Sequence, residues 1–347
     1  MNSTAFLAPR ALFRDREAAL ANTLVLLWTG GIWLGSFALM GAHALILNIV
    51  GCLLCAHAMV LASYLIHEAA HQNLFSFASG NRAAGELMNF VAGSSYASFE
   101  RIRHMHIRHH LDRADLTCFD FRSLIARRAA LRRTLQAFEW AYVPATEVLM
   151  HLQVVLRPFF VRSQRRHLPR VILMLLVRGA LLALLAFWSI KALLWYAVAQ
   201  FLLLHVLNFF DAFHHSFEQY CVAPDQALPP MEGRDRQYEQ DNTYSNLLSR
   251  RYPLLNLLTL NFGYHNAHHH RPSVPWNRLP EFHRNLYGEQ ALAVLPVSAL
   301  VRSWHRNRVR RVLSEHYGVP GQGPDQAGPD RADDFVGAHG VSFLTVI

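Results

Sequence analysis

Two pentads in this chain share one spacing. His106-Ile107-Arg108-His109-His110 and His265-Asn266-Ala267-His268-His269 both read H-x-x-H-H. A third cluster, His67-Glu68-Ala69-Ala70-His71, stands upstream as H-x-x-x-H. Residues three and four apart lie on one face of an α-helix, so each cluster presents two or three imidazoles in one direction. The chain carries 21 His in 347 residues, but surface decoration would not repeat a spacing. Neutral imidazole is the commonest metal ligand, and the eight histidines of these clusters exceed the four that a zinc ion takes. The clusters therefore point to two metal ions. An imidazole-rich set suits Fe, Cu, Ni or Zn better than Mg or Ca.

The elements that must position these clusters are apolar. The chain is 52% hydrophobic and only 16% charged, with a positive mean hydropathy, which is unusual for a soluble protein. No Asp, Glu, Lys or Arg interrupts Ala21 to Met40 or His43 to Ile66. A second pair follows, Val171–Ile190 and Ala192–Phe210, broken only by Arg178 and by Lys191 in the turn. Each run is long enough to cross a hydrocarbon core as a helix of about 20 residues, and the short turns make each pair a hairpin. Pro253–Gly263 is apolar but too short to span, so it is expected to be re-entrant or packed against the bundle. Arg10, Arg14 and Arg16 precede the first run, which reads as a retained anchor rather than a cleaved signal.

Charge sets an orientation. The N-terminal arm, the stretch from His67 to Arg170 and the sequence after Phe210 are rich in Arg, whereas the turns near Gly41 and Lys191 carry almost none. By the positive-inside rule the Arg-rich segments, both termini and all three His clusters face the cytoplasm, as expected for an inner-membrane protein. Residues 123–168 mix Arg with apolar residues and suggest interfacial amphipathic helices. The net charge of +9 would attract anionic headgroups or an acidic redox partner. No nucleic-acid-binding signature accompanies it, so nucleic acid is not an expected partner. Cys52 and Cys55 lie inside an apolar run, and Cys118 and Cys221 are isolated; this usage fits a reducing compartment. The organisation expected is an arm over 1–20, a membrane domain over 21–290, a basic helix over 291–317 and a Gly/Pro-rich disordered tail over 318–347.

Two other classes fit less of the chain. His67-Glu68-Ala69-Ala70-His71 matches the zinc-protease motif H-E-x-x-H, but an intramembrane protease leaves both H-x-x-H-H pentads unexplained. A metal transporter places its ligands near the bilayer midplane, whereas these clusters follow the spans.

The ordered set of His67-to-His71 followed by Gln72, then His106-x-x-His109-His110, then His265-x-x-His268-His269, resembles the membrane fatty acid desaturase superfamily over about residues 45–285. The Asp112–Asp120 stretch and Arg271-Pro272-Ser273-Val274-Pro275-Trp276 are similar to that family too. The resemblance implies an all-α integral membrane fold: four transmembrane helices as two hairpins, with a cytoplasmic helical cap carrying a di-metal site. It implies two Fe ions, with O₂ as co-substrate. It also implies a ninth ligand from the end of the fourth span, near an amide or carboxylate one turn earlier. Asp211-Ala212-Phe213-His214-His215 occupies that place. Asp211 and His215 are four apart on one face, so the ninth ligand is carried to His215, with His214 as its rival. Asp211 departs from the usual amide, and either supports a ligand or binds metal itself. Glu68 reads as a proton relay or as a partner of a His.

The implied reaction is O₂-dependent desaturation of a long-chain acyl lipid. Hydroxylation of an acyl or alkyl chain is the alternative on the same scaffold, since both begin with hydrogen abstraction. Neither C-x-x-C-H nor a Cys₄ cluster is present. Electrons are therefore expected from an external donor, a ferredoxin or a small b-type cytochrome with its reductase. Acyl carrier, chain length and bond position are not legible in the residues.

Overall fold

The computed structural model describes residues 12–217, 220–222, 233–288, 294–313, 318, 335–338, 342 and 344–345. The protein is mostly helical. Four helices are long and apolar enough to cross a membrane: α1 (Ala19–Gly41), α2 (Leu45–Ala70), the segment Arg162–Trp188, and a last one over Ile190–Ala212. Between the second and third lie α3 (Ala78–Val91), α4 (Phe99–Asp112), α5 (Phe121–Arg127), α6 (Ala129–Trp140) and α7 (Ala145–Phe160). The third apolar segment is a 3₁₀ turn running into α8 (Leu168–Trp188), and the fourth is α9 (Ile190–Ala212). Short helices α10 (Arg236–Asp241), α11 (His265–His270), α12 (Leu279–Tyr287) and α13 (Val297–Asn307) follow.

Helix α2 is the centre of the bundle. From Cys52 onward most of its residues are buried, and it packs against α1, α3, α4 and α9. The outer helices keep their apolar side chains exposed, among them Leu27, Trp28, Leu176 and Phe187, as helices facing lipid do. Asn48 stands out as a polar residue in an apolar run. Its Nδ2 donates to the carbonyls of Leu39, Met40 and Ala42 at 2.9–3.0 Å, satisfying the end of α1 that has no helical partner. Gly51 allows the close approach of α1: a Cβ there would stand 2.8 Å from Leu39 Cβ and 2.9 Å from the Met40 nitrogen. Lys191 Nζ donates to the Ala42 carbonyl, and Gly41 faces the Trp188 ring. The two short turns thus meet at one end of the bundle, while α2 and α9 finish at the other.

The Arg-rich stretch after α2 does not sit wholly beyond the spans. α3 runs back beside α2, and its C-terminal loop reaches Gln200, near the middle of α9. Arg178, also mid-helix, donates to the Phe90 carbonyl at 2.6 Å and lies over the Phe90 ring. A guanidinium carried by a long apolar helix thereby receives the end of α3, and the Phe90 carbonyl finds a partner. The 3₁₀ helix Pro253–Thr259 packs against α2 as well: His57, half-way along α2, contacts the Leu258 carbonyl at 3.2 Å. Tyr64 stacks on Phe262 at 4.5 Å.

Two departures from an all-α chain free at both ends matter for the site. Arg113 ends α4 in the left-handed region (φ 47), and the chain then pairs as β1 (Asp115–Thr117) in parallel with β2 (Tyr220–Val222). The tail beyond 318 lies mostly outside the described residues, as does the arm before residue 12. Within the tail, however, Phe335, Val336 and Ala338 are buried, and Ala338 N–H donates to the Ala212 carbonyl at 2.7 Å. Residues 335–338 thus cover the end of α9.

Candidate metal centre

Each His cluster is helical, as its spacing requires. His67 and Glu68 lie in the last turn of α2, and His71 is its C-cap. His106, His109 and His110 are on α4, opened by Ser98, whose side chain accepts from Arg101 N–H. His265, His268 and His269 form α11. This last helix comes close only because Gly263 lacks a side chain: a Cβ there would meet the Asn246 carbonyl oxygen at 2.6 Å.

The folded chain gathers these rings into two adjoining groups. Ligand atoms of His67, His71, His106, His110 and His268 all lie within 4.8 Å of one another. His109, His215 and His269 form a second such set, and His265 Nε2 is 3.0 Å from His215 Nε2. The groups abut, with the His110 and His269 rings 4.2 Å apart.

In the first group Nε2 of His67 and His268 are 3.0 Å apart, His71 and His106 2.8 Å, and His110 stands 3.2 Å from both His106 and His268. Five converging rings exceed the four ligands of structural zinc, and an imidazole-rich set is within reach of iron.

Burial keeps these rings neutral. It pushes His71, His106, His110, His265, His268 and His269 well below the usual imidazole value, with repulsion among the rings adding to it. His109 is pushed down to about 4 and His215 to about 3, burial being the main cause in both. Neutral rings are the form that binds a cation.

Of the two candidates after α9, His215 turns its Nε2 to His265 and His269, 3.0 Å from each. His214 stacks flat on His265 at 4.0 Å, and its Nε2 has no hydrogen-bond partner among the described residues. Asp211 belongs to neither group among the described residues. It lines a cavity of about 60 Å³ beside the second group, together with Met105, Asp115, Leu116, His214 and Phe262. That volume holds about two waters. Among the described residues one Asp211 oxygen has no hydrogen-bond partner.

Glu68 is committed elsewhere. Its Oε2 accepts the Trp276 backbone N–H at 3.1 Å, and its Oε1 lies 3.5 Å from His67 Nδ1. It ties the stretch after the third cluster to the first, whereas a protease base would face an open coordination position.

Sequence reasoning missed three polar residues at the site. Glu239 Oε1 accepts from His269 Nδ1 at 2.9 Å, and its Oε2 pairs with Arg113 Nε at 3.2 Å. Asp115 Oδ1 lies 3.4 Å from His215 Nδ1. Asp115 and Arg113 carried a signal, since both stand in the Asp112–Asp120 stretch similar to the family. Glu239 carried none.

Comparison with known proteins agrees with this geometry. The family model described as fatty acid desaturase matches residues 44–301, a range that holds all three clusters and His215. A sphingolipid delta(4)-desaturase of Candida albicans is 29% identical over 231 residues, covering 63% of this chain and 56% of the relative. A sphingolipid delta(4)-desaturase of Komagataella phaffii is 28% identical over 229 residues, covering 62% and 54%. The chain thus spans little more than half the length of the curated relatives it matches. With ordered His clusters gathered at the ends of apolar helices, and a family match over most of its length, the chain belongs to the fatty acid desaturase family.

Proposed function

We propose that this protein is a membrane-embedded oxidoreductase that introduces a double bond into a long lipid chain, using two irons. His67, His71, His106, His110 and His268 would hold one iron, and His109, His215, His265 and His269 the other. The observation that carries the reading is the convergence of nine neutral imidazoles beside the ends of apolar helices. Bound iron, with O₂ and two electrons, would supply the oxidising power to take hydrogen from unactivated methylenes. In balance, R–CH₂–CH₂–R, O₂, two electrons and two protons give R–CH=CH–R and two waters.

The chain's own residues bind, orient and exclude water. Beside α9 lies a cavity of about 220 Å³ lined by Val148, Leu152, Val155, Leu203, Leu204 and Leu207 on α7 and α9. Leu207 is one turn from Asp211, so an apolar chain held there would lead toward the metal groups. Asp211 supports that end by hydrogen bonding through the small cavity. His214 packs against the ligand His265. The relatives' names make a sphingoid chain the first candidate substrate, with a fatty acyl chain of a glycerolipid as the competing one.

The positive-inside bias and the meeting of the two short turns at one end support two hairpins crossing the inner membrane. Both termini, the His clusters and the helical cap would be cytoplasmic, where an external donor, a ferredoxin or b-type cytochrome with reductase, can reach them. The test is mass spectrometry of total lipids from a host expressing the protein with a reductase system, against His268→Ala. A product two mass units lighter, absent from the variant, supports the reading. A product sixteen units heavier means hydroxylation instead, and an unchanged lipid pool with iron bound and donor present refutes both.

A further inference from the structure

An imidazole bound to metal through Nε2 has its Nδ1–H on the opposite edge, and what accepts that proton sets the ring's tautomer, orientation and basicity. The two groups differ in what stands behind their rings. In the second, His109 Nδ1 meets the Ala114 carbonyl at 2.8 Å, His215 Nδ1 meets Asp115 at 3.4 Å and His269 Nδ1 meets Glu239 at 2.9 Å. In the first, the one carboxylate contact recorded among the described residues is Glu68 at 3.5 Å from His67 Nδ1. Among the described residues His110 Nδ1 and His268 Nδ1 have no hydrogen-bond partner, and in the second group neither does His265 Nδ1.

Asp115 and Glu239 are both buried and both lie outside the three His clusters. Glu239 is itself held in place. Arg113, the C-cap of α4, pairs with its Oε2 at 3.2 Å and donates to the Arg234 carbonyl at 2.8 Å, while Thr243 Oγ1 donates to the Glu239 carbonyl at 2.6 Å. One arginine therefore links the helix carrying the second cluster to the carboxylate behind the third. Glu239 meets His269 at its Nδ1 edge, opposite the Nε2 that faces His215, a contact that orients the ring; with His110 and His269 it also makes a set whose ligand atoms lie within 4.8 Å of one another.

We infer that Glu239, with Asp115, is a positioning residue that makes the two metals unequal: it holds His269 as the Nδ1–H tautomer, and the pair sets two carboxylates behind the second metal against the one, Glu68, behind the first. This rests on the two-iron reading above. A hydrogen-bonded carboxylate behind a ligand histidine strengthens metal binding by about 10–100-fold, and that strengthening is concentrated in the second group.

The experiment is anaerobic titration of the metal-free, detergent-solubilised protein with ⁵⁷Fe(II), read by bound iron per chain and by Mössbauer spectra. Wild type is compared with Glu239→Ala and Glu239→Gln. Wild type should bind two irons with distinguishable doublets. Glu239→Ala should lose one of them, its affinity falling by about 10–100-fold with the other doublet unchanged. Glu239→Gln, which keeps an acceptor but not the charge, should recover occupancy while the same doublet stays shifted. Two irons with wild-type affinity and spectra in Glu239→Ala overturn the inference, and so does parallel loss of both irons in both variants. Wild type binding fewer than two irons overturns the two-iron reading itself, which separates the two failures.

Discussion

Acid should open the metal-free centre while leaving the spans intact. His71, His106, His109, His110, His214, His215, His265, His268 and His269 lie outside the spans, and burial holds all nine below the usual imidazole value. Well above pH 6.5 the folded and the opened chain are both neutral at these rings, so their stability contributions cancel. As the pH falls through 6.5, the opened chain takes protons that the folded one refuses, and stability is lost. The loss continues down to about 4 for His109 and about 3 for His215.

From pH 7 to pH 6 each ring withdraws a little under about 1 kcal/mol, so the nine together withdraw several kcal/mol. That is comparable to the whole stability of a domain, about 5–15 kcal/mol. Metal binds the neutral rings of the folded state and adds to its stability, so the loaded protein should resist to lower pH. The assay is hydrogen-exchange mass spectrometry in detergent, corrected for intrinsic rates, following α4 and α11 against α2 and α9. Without metal, α4 and α11 should lose protection between pH 7 and 5.5 while the long helices keep theirs. Unchanged protection of α4 and α11 over that range would refute the claim that these imidazoles are held neutral by burial.

Four further outcomes follow from single contacts. His215→Ala should abolish turnover while His214→Ala retains part of it, because only His215 turns its Nε2 to both His265 and His269; the reverse activities would exchange their roles. Gly263→Ala should lower bound metal with helix content unchanged, since its Cβ would press on the Asn246 carbonyl at 2.6 Å at a cost of about 1–3 kcal/mol. Glu68→Ala should lower the thermal midpoint by leaving the buried Trp276 N–H unpaired, a penalty of about 1–3 kcal/mol, whereas Glu68→Gln keeps an acceptor and most of the stability. His57→Ala and His43→Ala should retain the full metal content, measured by elemental analysis, because neither ring belongs to a metal group among the described residues.

The sequence carried those parts of the site whose geometry is local. Three and four residues apart on a helix is one face, so His106, His109 and His110, or His265, His268 and His269, could be read as converging before any fold was known. The four long apolar helices were legible because apolar length alone specifies them. The descent of α3 was not: it carries Arg82 and Glu86 and has no span-length apolar run. What receives its end is Arg178 and Gln200, far along the chain, and Arg178 in the sequence looks like an interruption of a span. Glu239 and Asp115 were invisible as partners for the same reason, since a carboxylate behind a histidine is a contact made by tertiary folding. The placing of His214 and His215 needed the backbone at the end of α9, where one residue of rotation turns one ring's Nε2 to His265 and His269 and stacks the other ring on His265.

The central claim is that the three clusters and His215 hold two irons. Elemental analysis of the full-length protein, purified without oxygen and quantified per chain, tests it most directly. About two irons per chain, reduced in His268→Ala, is the result the structure predicts. One zinc and no iron would contradict it.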